Sequence, residues 1–355
     1  MSYPRFGLKA FPPDRGSNLS SARVSLLTPS WCLMVIATAV IMIGFEDDHS
    51  KDRSHNRHAM TDVLGQTDRP IQKIAFSPDG TRLAALEGKS LLIFRETEER
   101  SDRATIGVDD LDIRSFVFDP QGHTVALGNV DGSIRFITLE TGQDSGRITL
   151  DEEPVLALAF SPDGRCIASA QGSGRLTLWE VETGSLRLDL KASDAPILAL
   201  AFSPDGRWLA STHADGLVVV WDAETGEPRT SVASRPGLLR PLIFSPDGGT
   251  LWWLNRKRHV LKWDLSADSN AQVVSAPAEE MVLMPDGKSL LVRVDEERVW
   301  QLDAETLQVE LPYRFPGRLV TAMDISRDGT RIALGELETV AVAELAQFVE
   351  KSSNN

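Results

Sequence analysis

The alternation of apolar and polar positions resolves the chain beyond residue 58 into short strands separated by tight turns. The clearest copy of the pattern runs from Pro196 to Gly226, PILALAFSPDGRWLASTHADGLVVVWDAETG. In ILALAF, Ile197 to Phe202, apolar residues fill nearly every place, as in a strand covered on both faces. The SPDG that follows predicts a type I turn, with Ser203 at its first corner, Pro204 with a preset φ at the second and Gly206 at the last. A second strand, RWLAST, ends at HADG, and a third, LVVVWD, ends at Glu224-Thr225-Gly226.

The same spelling recurs to the end of the chain. Its turn glycines are Gly80, Gly122, Gly164, Gly206, Gly248, Gly287 and Gly329, spaced by 42 residues throughout except for one step of 39. A period of ~40 to 45 with four strands per repeat is that of propeller blades. With its FSPDG turns (Phe76 to Gly80, Phe160 to Gly164, Phe202 to Gly206, Phe244 to Gly248) and its pairs Trp179-Glu180, Trp221-Asp222 and Trp263-Asp264, the chain resembles the WD-repeat family. The resemblance implies an all-β, seven-bladed β-propeller of four-stranded antiparallel blades over residues 59–350. It also implies a non-enzymatic role in binding proteins.

One family feature is missing. Blades of that family carry a Gly-His pair before the first strand, whose His joins a buried hydrogen-bond chain with an Asp, a Ser or Thr and the Trp. The matching places here read Glu153-Pro154 and Ala195-Pro196, so the chain of bonds is expected not to form and apolar packing to hold the blades together. Phe94 and Ile137 stand near the Trp position in the first two blades and keep an apolar plug there. The third strand of blade seven, Thr339 to Leu345, has no regular partner after it. Moving the outer strand Leu186 to Leu190 back by three periods lands on Met60 to Leu64, which is expected to close the ring.

Blade five breaks the pattern. Trp252-Trp253 stands where its neighbours have Ala168-Ser169 and Ala210-Ser211, the next loop is Asn255-Arg256-Lys257-Arg258-His259, and the connection onward is shortened. With strands alternating in direction, Arg235, Arg240, Arg256, Lys257, Arg258 and His259 share one rim with acidic groups such as Asp194, Asp215 and Glu279-Glu280. Arg235, Arg240, Trp253, Arg256, Lys257, Arg258 and His259 are therefore the candidate protein-binding residues, suited to an acidic peptide or protein segment. Asp324, on the first strand of blade seven, is the one candidate for channel chemistry, and a hydrogen-bonded structural aspartate is the preferred reading.

Composition narrows the partners. A net charge of -14 argues against non-specific nucleic-acid binding, which needs cationic patches. The cysteines, Cys32 and Cys166, define neither a disulfide framework nor a metal site. No phosphate loop, nucleophile elbow or zinc-binding helix motif is spelled, and no cofactor or metal is expected. Residues 31–45, WCLMVIATAVIMIGF, carry no charge; fifteen helical residues span only ~22 Å against a hydrocarbon core of ~30 Å. Extension over Leu26 to Ser30 reaches twenty residues but includes Thr28, Pro29 and Ser30. Because Gly44-Phe45-Glu46-Asp47 follows the run where cleavage needs small residues, an N-terminal apolar helix acting as an uncleaved signal anchor is preferred over a cleaved signal peptide or a buried or mis-started segment. Residues 1–30 then form a tail and 46–58 a polar linker. The lysine and arginine bias places the propeller outside the cytoplasm. The resulting expectation is a membrane-tethered, monomeric interaction platform. The alternative is an extracytoplasmic enzyme or small-ligand sensor working at the channel mouth.

Overall fold

The computed structural model describes residues 61–95, 102–106, 112–233, 241–255, 257–266 and 272–349. These residues form seven four-stranded sheets, each one blade of a β-propeller. Blade three sets the pattern: Val155–Phe160, Cys166–Gln171, Arg175–Glu180 and Leu186–Lys191 pair antiparallel in chain order, from the axis outward. The other innermost strands are Ile71–Phe76, Ile113–Phe118, Ile197–Phe202, Leu242–Phe244, Glu280–Leu283 and Ala322–Ile325.

The SPDG turn is regular because its side chains close on its own backbone. In blade four, Ser203 Oγ donates to Asp205 Oδ1 at 2.5 Å and accepts from the Trp208 amide at 2.9 Å, while the Arg207 amide donates to Asp205 Oδ1 at 3.1 Å. Gly206 ends the turn at φ 73°, a left-handed conformation that glycine adopts without strain. Ser326 and Asp328 repeat the arrangement in blade seven, and the Ser326 hydroxyl and the Thr330 groups hold the Asp328 carboxyl down at about 2.

Successive side chains on a strand point to opposite faces, so neighbours in sequence enter different seams between blades. Trp253 packs with Val218, Val220 and Trp263 between blades four and five, whereas Trp252 packs with Met281 and Val292 between blades five and six. Phe94 and Ile137 are buried, as the plug reading expects. A buried aromatic or aliphatic side chain contributes ~1.5 to 3 kcal/mol and a net hydrogen bond ~1, so the apolar seams carry most of the ring's cohesion.

The ring closes as the sequence period predicts. Thr61–Gln66 pairs antiparallel with Thr339–Glu344, from Thr61 opposite Ala343 to Gln66 opposite Thr339, and supplies the outer strand of blade seven. A short 3-10 turn, Leu345–Phe348, follows, and Phe348 stacks on Phe315 with ring centroids 4.5 Å apart.

The expected loss of the buried hydrogen-bond chain needs correction for blade four. Trp221 Nε1 donates to Ser211 Oγ at 3.0 Å, Ser211 Oγ lies 3.1 Å from His213 Nε2, and His213 Nδ1 lies 3.3 Å from Ser193 Oγ. The histidine comes from the end of the second strand, Trp208–His213, instead of the loop before the first. The indole N–H can only donate. One path using each hydrogen once runs from Trp221 to Ser211, from the Ser211 hydroxyl to Nε2, and from Nδ1 to Ser193. Burial keeps the His213 imidazole below its ordinary pKa, which suits this neutral tautomer. In blade three the bonds stop earlier. Trp179 Nε1 donates to Thr177 Oγ1 at 2.8 Å, which meets Ser169 Oγ at 2.7 Å, while Gln171 stands one period before His213 with neither amide atom partnered.

The tail 1–30, the apolar segment 31–45 and the linker 46–58 lie outside the described residues. Among the described residues no helix is long and apolar enough to cross a membrane.

Candidate interaction site

The tip between Thr250–Leu254 and His259–Asp264 in blade five is held from within by Asn255. Its Oδ1 accepts the amides of Lys257 at 2.9 Å and His259 at 3.0 Å, and its carbonyl accepts the Arg258 amide at 2.8 Å. Arg258 takes φ 60°, a strained conformation for a residue with a Cβ, which the surrounding bonds impose. The result is a fixed platform that presents Lys257 and Arg258 exposed and His259 half-buried.

Arg258 is joined to the body of the ring. Its Nη1 meets Glu279 Oε1, and Glu279 Oε2 accepts Arg293 Nη1 at 2.5 Å. Arg293 also reaches Glu280 Oε2 at 3.4 Å and the Thr321 carbonyl at 3.3 Å, and Glu280 Oε2 accepts the Met323 amide at 3.0 Å. A connected series of charges thus runs from the tip of blade five through blade six to blade seven. Its outer pair joins an exposed Arg258 to a half-buried Glu279 and, open to solvent on the arginine side, is worth ~0 to 1 kcal/mol. Arg293, only 10% exposed, is different, because a buried guanidinium left without its carboxylates would cost several kcal/mol.

Polar groups on the innermost strands join the blades. Asp324 Oδ2 accepts the Phe76 amide at 2.7 Å, Lys73 Nζ donates to the Phe116 carbonyl at 2.7 Å, and Ser115 Oγ donates to the Val155 carbonyl at 3.1 Å. Blades three and four have only Ala157, Ala159, Ala199 and Ala201 at the matching positions. Burial raises the Glu280 carboxyl to about 7 against the opposing pull of Arg293. Burial likewise raises Asp324 to about 6, against the hydrogen bonds from the Phe76 and Ile325 amides and the charge of Lys73. Among the described residues no group of three or more His, Cys, Asp or Glu is placed to hold a metal ion.

Of the residues expected at a binding surface, the structure brings Lys257, Arg258 and His259 together on one tip. Arg235, Arg240 and Arg256 lie outside the described residues. Trp253 is 0% exposed and belongs to the core, because its place on the strand turns it into the seam with blade four. It meets Trp263 edge to face, with ring centroids 6.4 Å apart. Sequence reading missed Arg293, the anchor of the series. The signal was present in a charged residue closing the otherwise apolar strand Ser289–Arg293.

The family model described as WD domain, G-beta repeat, matches residues 146–180 and 184–222. The first match runs from the outer strand of blade two through Trp179 to Glu180, the second from before the outer strand of blade three through Trp221 to Asp222, so each ends one residue after a bonded tryptophan. No curated protein matches the chain.

Proposed function

We propose that this WD-repeat β-propeller is a non-enzymatic interaction platform, tethered to a membrane, whose blade-five sector docks an acidic protein or peptide segment. WD-repeat propellers typically bind proteins or peptides. The observation that carries the sector is the Asn255-braced tip, which offers Lys257 and Arg258 from a backbone already fixed, so that little ordering cost falls on association. An incoming carboxylate shares Arg258 with Glu279 and leaves Arg293 its own partners. The polar side chains of the inner wall support a structural reading of the channel, since Lys73, Ser115, Glu280 and Asp324 are each bonded to the backbone of the next blade.

The tether rests on the uncharged run Trp31 to Phe45 and the basic residues Arg5, Lys9, Arg15 and Arg23 ahead of it, which favour an extracytoplasmic propeller. Carbonate extraction of membranes tests it: retention in the pellet supports an integral anchor and release contradicts it. Proximity labelling from the propeller, followed by recovery of labelled proteins at graded ionic strength, tests the docking. A partner lost as salt rises supports the sector, because exposed charges are screened beyond ~10 Å at 0.1 M.

A further inference from the structure

On the outer circumference, between blades two and three, lies a cavity of about 320 Å³ beside Gly146. Gly146, on the outer strand Asp144–Thr149, pairs with Phe136; Leu188 holds the matching place in blade three, opposite Leu178. In the seam between blades three and four, Leu190 and Leu188 together fill the space beside Gly226, where a built Cβ would meet their methyls at 2.7 and 3.3 Å. One seam earlier the equivalent Gly184 has only Ile148, at 3.9 Å, within contact range. The apolar floor consists of Phe136, Ile148, Phe160 and Val181, with the two phenyl rings tilted 60° to one another.

We propose that this pocket receives an aromatic side chain of a partner peptide, flanked in that peptide by a lysine or arginine. The volume lies at the small end of the range for binding cavities, ~300 to 1,000 Å³, which suits one large side chain better than an extended ligand. The apolar floor of Phe136, Ile148, Phe160 and Val181, ringed by polar side chains, favours an aromatic anchor, the residue class that dominates interface energetics. The rim sets the charge. Asp119, whose Oδ1 accepts the His123 and Thr124 amides, and Glu182 border the pocket, and among its described lining residues the cation is Arg147, bonded to Asp131 at 3.0 Å. A basic flank on the peptide complements that rim, and an acidic flank is repelled by it. This surface is separate from the tip of blade five and does not depend on it.

The test is selection of a displayed random dodecapeptide library on the full-length chain, with Gly146→Leu screened in parallel. Gly146 has an ordinary φ, and the added Cβ would meet only Phe136 at 3.9 Å, so the variant is expected to fold with an unchanged or higher thermal midpoint. Peptides enriched on the unaltered protein should share an aromatic residue beside lysine or arginine. They should bind Gly146→Leu about tenfold or more weakly, bind Glu182→Gln about threefold more weakly, and be indifferent to Lys257→Glu. Absence of aromatic sequences with a basic flank among the enriched peptides, or equal binding of such peptides to Gly146→Leu, would overturn the proposal.

Discussion

The backbone amide of Phe76 in blade one donates to Asp324 Oδ2 of blade seven at 2.7 Å, across the seam where the two ends of the ring meet. The inner edge of an innermost strand has no further strand to bond, and Asp324 supplies the acceptor for one of its amides. Glu280 does the same between blades six and seven through the Met323 amide.

Both carboxyls titrate above their ordinary values, Asp324 at about 6 and Glu280 at about 7, because burial disfavours the charge. The folded state therefore holds more protons than the unfolded state between about pH 4 and pH 7, and stability falls as pH rises through that window. The effect is on the order of 3 kcal/mol at most for each group. Asp324→Asn keeps an oxygen for the Phe76 amide and removes the ionisation, and Glu280→Gln does likewise for Met323. Urea midpoints measured from pH 4 to pH 8 should decline less steeply in either variant and least in the pair. An unchanged slope would show that these groups do not control it. The turn aspartates act in a separate window, since Asp328 is held at about 2 and its contribution is lost only below about pH 4.

Removing residues 59–66 takes away the strand Thr61–Gln66 and exposes the edge of Thr339–Glu344. The thermal midpoint is expected to fall by several degrees, and the shortened chain to self-associate through the open edge. Differential scanning calorimetry with light scattering checks both, and an unaltered midpoint would mean that the closing strand adds nothing to the ring.

In blade four, Ser211→Ala leaves the Trp221 indole and His213 without their shared partner inside the fold, at a cost of about 1 to 3 kcal/mol. Gln171→His in blade three places an imidazole where His213 stands one period later, beside Ser169, and should stabilise by up to about 1 kcal/mol. Chemical denaturation of the two variants reads both changes. A destabilised Gln171→His would show that the blade-three site cannot accept the ring.

The ring was legible because its determinants are local: the side chains of each turn bond within five residues, through Ser and Asp in most blades and through Asp119 alone in blade two, and the spacing of the glycines sets the register. The closing strand followed from the same period. The relay through His213 was missed because its histidine is delivered by a different strand to the same place in space, so a comparison of aligned motif positions sees only an absence. Trp253 was misplaced by weighing its type without its parity, since Trp252 and Trp253 must enter opposite seams. The cavity beside Gly146 escaped notice because outer strands are half-exposed and bear the weakest apolar pattern, and it becomes visible only where Leu188 is seen filling the equivalent seam.

Charge reversal on the braced tip addresses docking most directly. Arg256, Lys257 and Arg258 replaced together by Glu, with the thermal midpoint measured to confirm the fold, should reduce recovery of the proximity-labelled partner at least tenfold, whereas reversal of Glu152 and Glu153 on another blade should leave it intact. Recovery unchanged by the first replacement and abolished by the second would contradict the blade-five sector as the docking site.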